Sequence, residues 1–373
     1  KEMAKKSYSK KGEEVVELNY KAIDEGKNGL VQIEVKPEWS TLTVAKTRRT
    51  TGDEYFDQHV DVINGLDGYD MPVSSFTKYG LLNGSFRNNV AFSEHRAIAT
   101  QVPEWHEENC IQCGFCSFVC PHATIRTFLL DDTEVKNAPM EFATLPAQGK
   151  GVENLKFRVQ VSPDNCVGCG LCVVECPGKG GKKALTMEDV HDRLYEAPLA
   201  DYIYKNTTYK SEYMPTDSIK GSQFLMPYFE VSGACAGCGE TPYYRLVSQL
   251  FGRDMMIANA TGCTSIYCGS APSTPFVTDK DGEGIAWGNS LFEDNAEYGF
   301  GMKVAQEFKA NRIVEILTEM SATADDASKA TIQAYLDVKG NRNEERKIVK
   351  DLVKVLEKST HPRANEVLEM KRD

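Results

Sequence analysis

The sequence lacks a long apolar run. Nothing in its 373 residues approaches the roughly 20 apolar side chains that a membrane helix requires, and Lys1 to Tyr20 is charged where a secretory leader would be apolar. No membrane partner is expected, and the default compartment is the cytoplasm. The chain also lacks a basic excess: 43 Lys and Arg stand against 54 Asp and Glu, a net charge of −11. Nucleic acid is therefore not an expected partner, because phosphate binding needs clustered Lys and Arg. An acidic surface is compatible with a small protein partner or a cationic cofactor. No methionine stands at position 1, which suggests a fragment or a processed chain.

Cysteine is abundant. Twelve fall in three tight groups, Cys110 to Cys120, Cys166 to Cys176 and Cys235 to Cys268. A chain of this length, 41% hydrophobic and 26% charged, can bury a core without disulfide staples. Clustered cysteines without a leader point to metal or redox chemistry.

The texture along the chain suggests five stretches. In 1–37, Val15, Val16, Leu18 and Ile23 among charges predict a helix over 11–25, ended by Gly26 and Gly29. Leu30 to Val35 alternates like a strand, and Pro37 closes the unit. Residues 38–100 are rich in turn dipeptides (Asn64-Gly65, Asp67-Gly68, Asn83-Gly84) and read as a linking segment. Residues 101–190 hold an internal repeat with a long insertion over about 122–160, within which Phe157 to Val161 alternates like a strand. Residues 191–225 read as a second turn-rich linker. From 226 to 373, short apolar runs such as Met255 to Ala258 alternate with helical patterns such as Thr241 to Phe251, an α/β texture. Three amphipathic surface helices close it, Met302 to Met320, Ala327 to Val338 and Glu345 to Glu357.

The repeat is specific. Cys110, Cys113, Cys116 and Cys120 follow C-x₂-C-x₂-C-x₃-C with Pro121 next, and Cys166, Cys169, Cys172 and Cys176 copy it with Pro177 next. Zinc sites favour separate C-x₂₋₄-C pairs, often with His. Three thiolates at this spacing wrap one corner of a cubane, and the fourth ligates the other cluster. Two 4Fe–4S clusters are expected: one on Cys110, Cys113, Cys116 and Cys176, the other on Cys166, Cys169, Cys172 and Cys120. With those positions filled, His122 reads as a surface or supporting histidine. In the third group, Cys235 and Cys238 form a C-x₂-C in a Gly-rich loop, followed by Cys263 and Cys268. Spacing alone leaves a zinc knuckle, a third cluster or a dithiol open, although Gly-rich flanks suit close approach to something bulky. Asp281-Gly282-Glu283-Gly284 reads as a turn.

Several stretches together resemble pyruvate:ferredoxin oxidoreductase. They are Cys238-Gly239-Glu240-Thr241-Pro242-Tyr243, Asn259-Ala260-Thr261-Gly262-Cys263 and Ser290-Leu291-Phe292-Glu293-Asp294-Asn295-Ala296-Glu297, with Val102-Pro103-Glu104-Trp105, Cys120-Pro121-His122-Ala123-Thr124-Ile125-Arg126, Lys5-Lys6-Ser7-Tyr8 and Gly65-Leu66-Asp67-Gly68 upstream. The resemblance implies an α/β protein overall. Residues 1–37 would end a preceding catalytic α/β domain, 101–190 would be a ferredoxin-like α+β bicluster domain, and 226–373 would be a truncated α/β thiamine-diphosphate domain. It implies a third 4Fe–4S cluster on Cys235, Cys238 and Cys263, thiamine diphosphate touching Glu240 and Cys263, and Mg²⁺ in the intact enzyme. The competing structural reading of Glu240 is an N-cap carboxylate on a helix starting near Pro242. The family's diphosphate motif and fourth cysteine have no counterpart, so Cys268 would be the fourth ligand or the cluster would be incomplete. The implied reaction is oxidation of pyruvate with coenzyme A to acetyl-CoA and CO₂ by a homodimer that reduces ferredoxin or flavodoxin. A stand-alone bicluster electron carrier and a relative acting on another 2-oxo acid are the competing readings.

Overall fold

The structure, a computed structural model, describes residues 1–43, 48, 50–269 and 272–370. It divides into two compact units, Lys1–Arg49 and Thr50–Asp373. In the first, helices Glu2–Tyr8 and Glu13–Asn28 are joined by a 3-10 turn, and a second 3-10 turn spans Pro37–Thr41. The expected helix runs through Gly26 and stops at Gly29, whose N–H closes on the carbonyl of Glu25. The expected strand at Leu30 to Val35 does not form: these residues are exposed and, among the described residues, pair with no strand.

In the second unit, residues 50–100 carry short helical turns, among them Phe56–Val60, Asp61–Asn64 and Val73–Lys78. They pack Tyr55, Phe56, Val60, Leu81 and Val90 into a small core of their own. The cysteine repeat then builds two sheets. Strand β1 (Gln101–Trp105) will pair antiparallel with β5 (Leu185–Asp189). The second sheet is ordered β2 (Ile125–Leu130), β4 (Lys156–Val161), β3 (Leu145–Pro146), with Ile125 opposite Val161. The strand expected at Phe157 to Val161 is β4.

Every residue of β2 is buried, and a strand's period of two explains how. Ile125 and Leu129 face the core that holds Cys116, Cys120 and Cys172. Phe128 and Leu130 face the opposite way, onto Leu199, Ile203 and Tyr204 of helix Ala197–Asn206. The stretch read as a second linker therefore covers the sheet, and its Phe224 plugs the cysteine core. This covering also buries Arg158 and Gln160 of β4, whose alternation would otherwise place them in water.

Beyond residue 228, β6 (Met256–Ala260) and β7 (Ala286–Ser290) run parallel, with helix Cys263–Gly269 between them in sequence. A mixed helix and sheet fold is thus present. The tail helices Asn295–Thr323, Asp326–Val338, Arg342–Lys358 and Ala364–Glu369 enclose their own core of Ile316, Leu317, Met320, Ile332, Leu352 and Leu356. They form a packed bundle, not separate surface helices. Among the described residues, no helix is long and apolar enough to cross a membrane.

Candidate iron–sulfur sites

The two cysteine loops share one backbone plan. In the first, Gln112 and Gly114 take positive φ of 57° and 80°; in the second, Gly168 and Gly170 take 69° and 74°. These left-handed residues curl each loop so that its amides point inward. The N–H of Gln112 donates to Sγ of Cys110 and that of Gly168 to Sγ of Cys166, both at 3.4 Å. Gly114 and Gly170 then open the helices Phe115–Val119 and Leu171–Glu175, which carry Cys116 and Cys172. Each helix ends on an extended cysteine, Cys120 or Cys176. The prolines that follow favour that conformation and swing the fourth thiol out of its own loop.

The result crosses the repeat. One cavity is lined by Cys110, Cys113, Cys116 and Cys176, with Trp105, Phe157, Val159 and Leu185 as apolar walls. Burial raises the Cys110 and Cys116 thiols above their usual range, and the charges of Cys113 and Cys176 add to it. Burial pushes Cys166 up to about 12, with Cys120 and Cys169 adding charge repulsion. It raises Cys172 further, beside Cys120, Cys116, Cys166 and Cys169. Four thiols thus line one cavity, and Cys120, Cys166, Cys169 and Cys172 lie near enough for their charges to act on one another. The raised thiols of Cys110, Cys116, Cys166 and Cys172 hold their protons unless a metal replaces them. Among the described residues no three His, Cys, Asp or Glu side chains converge as ligands of a single ion. A cubane instead takes each thiolate at a separate iron, and soft donors with apolar walls fit one.

His122 is buried, which corrects its surface reading. Burial holds its imidazole below the usual value, and Nε2 lies 2.9 Å from the carbonyl oxygen of Ala234, at the edge of the third cysteine loop. That loop abuts the repeat: a Cβ at Gly237, φ 72°, would lie 3.8 Å from Cys169 and 3.9 Å from Leu171. Cys235 and Cys263 are exposed and Cys238 is half-buried. Cys268 lies within the aromatic core of Tyr228, Phe229, Tyr267 and Phe276, its thiol pushed up to about 12 by burial. Glu240 occupies the N-cap position of helix Thr241–Phe251, but its carboxylate caps nothing; its carbonyl accepts from the N–H groups of Tyr243 and Tyr244. Burial raises the Tyr267 phenol, and the charges of Glu240, Cys268 and Cys238 add to the effect. Cys263 opens helix Cys263–Gly269 at the carboxyl end of β6. Thr261 Oγ1 there donates to the carbonyl of Ser290, 3.2 Å away at the end of β7. Carboxyl ends of parallel strands are where α/β sheets bind ligands. Asp281-Gly282 is a turn closed by Gly282 N–H on Asp279, as expected.

Sequence reading passed over a set of buried polar residues. Arg126 pairs with Glu230, donates to Tyr209 Oη at 2.9 Å, and lies over the Tyr204 ring. Arg245 is buried with Thr241, Ser248 and Gln249 on the inner side of its helix. Spacings of four, seven and eight are the helical signal, but hydrophobic periodicity does not register it when the residues are polar.

Residues 109–179 match the 4Fe-4S dicluster domain family. The chain is 41% identical over 344 residues to the pyruvate:ferredoxin oxidoreductase of Moorella thermoacetica, covering 91% of this chain and 29% of that protein. It is 42% identical over 336 residues to a pyruvate-flavodoxin oxidoreductase of Klebsiella pneumoniae, covering 89% and 28%. A mitochondrial pyruvate dehydrogenase (NADP+) of Euglena gracilis is 41% identical over 332 residues, 88% of this chain and 18% of that protein. The chain spans less than a third of the length of these curated relatives. It is therefore homologous, across nearly its whole length, to one segment of the pyruvate:ferredoxin and pyruvate-flavodoxin oxidoreductases, and in this chain residues 109–179 belong to the 4Fe-4S dicluster domain family.

Proposed function

We propose that this chain is the electron-exit segment of a pyruvate:ferredoxin or pyruvate-flavodoxin oxidoreductase. Its eight repeat cysteines hold two 4Fe–4S clusters in the crossed arrangement, Cys110, Cys113, Cys116 and Cys176 on one, Cys166, Cys169, Cys172 and Cys120 on the other. The observation that carries this reading is the single cavity lined by three thiols of the first loop and one of the second. The clusters, when bound, supply one-electron transfer at low potential. The chain's own part is to exclude water with Trp105, Phe157 and Leu185, and to aim the amides of Gln112 and Gly168 at sulfur. Donors of this kind favour the thiolate over the thiol.

The third loop extends the reading. Cys235, Cys238 and Cys263 are proposed ligands of a third 4Fe–4S cluster. Glu240 and Cys263 are proposed to face thiamine diphosphate, with Mg²⁺, pyruvate and coenzyme A bound by the longer protein. Contact of Gly237 with the Cys169 loop supports a third site next to the Cys166 cluster, with the Cys110 cluster beyond it. The partners proposed are ferredoxin or flavodoxin, by analogy with the relatives' names. Exposure of Cys235 and Cys263 favours a second reading in which this stretch alone carries only two clusters.

Iron content and low-temperature EPR after anaerobic reconstitution test both readings. About eight irons means two clusters and about twelve means three. In the crossed arrangement, Cys110→Ser with Cys176→Ser disturbs one EPR signal and spares the other. Cys110→Ser with Cys120→Ser disturbs both. The reverse pattern would refute the crossing.

A further inference from the structure

Helix Thr241–Phe251 turns its polar side inward and leaves Tyr243, Val247, Leu250 and Phe251 exposed. On its buried side Arg245 is 1% exposed. Nη2 donates to the carbonyl of Phe118 at 2.6 Å, and Nη1 donates to Oε1 of Gln223 at 3.0 Å. The same Oε1 accepts from Ser117 Oγ at 2.8 Å. Ser117 and Phe118 lie between Cys116 and Cys120, so the guanidinium is anchored to the short helix that supplies one thiolate to each proposed cluster.

Among the described residues no carboxylate pairs with Arg245, and its Nε has no hydrogen-bond partner. Arg126, also deeply buried, has Glu230. An isolated buried cation is costly unless an opposite charge compensates it. The opposite charges that would act on Arg245 are the Cys120 and Cys116 sulfurs once they are thiolates, Cys120 more strongly, against the like charge of Arg126. Burial pulls the guanidinium down to about 10, which still leaves it charged at neutral pH.

We propose that Arg245 is the counter-charge shared by the two clusters, and that it holds both reduction potentials above the values they would have without it. The inference rests on the two-cluster reading. Reduction adds one negative charge to each cluster, and a fixed cation in a medium of low dielectric stabilises the reduced form. Arg245 belongs to the helix that begins three residues after Cys238, so the third cysteine segment would set the redox poise of its neighbours.

The experiment is an EPR-monitored redox titration of the reconstituted chain. Arg245→Met is expected to move both waves to more negative potential. At the Cys120-held cluster the one-electron reduction constant should fall at least tenfold, which is 59 mV. Arg245→Lys, which keeps the charge, should retain most of the wild-type potential. Unchanged potentials in Arg245→Met at full iron content would overturn the proposal. So would an equal shift in Arg245→Lys, which would assign the effect to hydrogen bonding. If Arg245→Met fails to hold iron, Gln223→Glu places a carboxylate on the atom 3.0 Å from Nη1. It should lower both potentials with the clusters intact, and unmoved potentials there would also overturn the proposal. Failure of the wild-type chain to take up about eight irons would instead refute the cluster assignment.

Discussion

Gly168→Ala would place a methyl group where backbone already stands. Gly168 sits at φ 69°, and a Cβ there would lie 2.8 Å from the carbonyl oxygen of Gln101 and 3.2 Å from Cβ of Ala99. The left-handed conformation costs an L-residue about 1–2 kcal/mol. Forcing a methyl against a backbone oxygen at the end of β1 adds overpacking strain of about 1–3 kcal/mol. The sum, about 2–5 kcal/mol, falls on the loop that carries Cys166 and Cys169. The amide that donates to Cys166 survives the substitution, so the damage is steric. The equivalent residue of the first loop, Gln112, already has a side chain at φ 57°. It is tolerated because Nε2 donates to the carbonyl of Pro146 at 2.9 Å and Oε1 accepts from Gln148 N–H at 3.0 Å. Gln112→Gly relieves the backbone and loses those two bonds, a net change of about 0–1 kcal/mol. Urea-induced loss of visible cluster absorbance, read with iron content, compares the two. Gly168→Ala should lower the midpoint markedly and lose iron from one cluster, while Gln112→Gly should stay near wild type. Full iron and an unshifted midpoint in Gly168→Ala would refute the steric argument.

Arg126→Met strands Glu230 in the core and should destabilise the chain by about 3–5 kcal/mol in chemical denaturation, whereas Arg126→Met with Glu230→Leu should recover much of the loss. His59 is buried against Tyr55, with Nδ1 3.0 Å from Ser75 Oγ, and burial holds its imidazole below the ordinary 6.5. Unfolding therefore takes up a proton that the folded state refuses. Stability should fall as pH drops through 6.5 and level off below the folded value. In urea titrations across that range, His59→Phe should show a shallower dependence than wild type, and an identical slope would refute the assignment.

Much of the site was legible in sequence because local chemistry sets it. Spacing of two and three residues, with small or turn-prone residues between thiols and a proline after each fourth cysteine, is enough to define two cluster loops. The strand at Phe157 to Val161 and the three long tail helices follow from periods of two and 3.6, which survive in any context. What failed were inferences about surroundings. Leu30 to Val35 alternates but finds no partner strand, and residues 197–206, read as linker, cover a sheet face. Arg158, Gln160 and His122 are buried because other segments lie over them, which no local pattern encodes.

The sequence by itself marked the candidate cluster ligands, eight thiols in two copies of one spacing. The crossed grouping of four follows from that same spacing, whereas only the tertiary structure decided which side chains wall the cavity and that Arg245 is buried against the helix joining Cys116 to Cys120. The physical reason is range. Ligand spacing is written within a dozen residues of chain, whereas burial of a charge depends on segments more than a hundred residues apart closing over the same point.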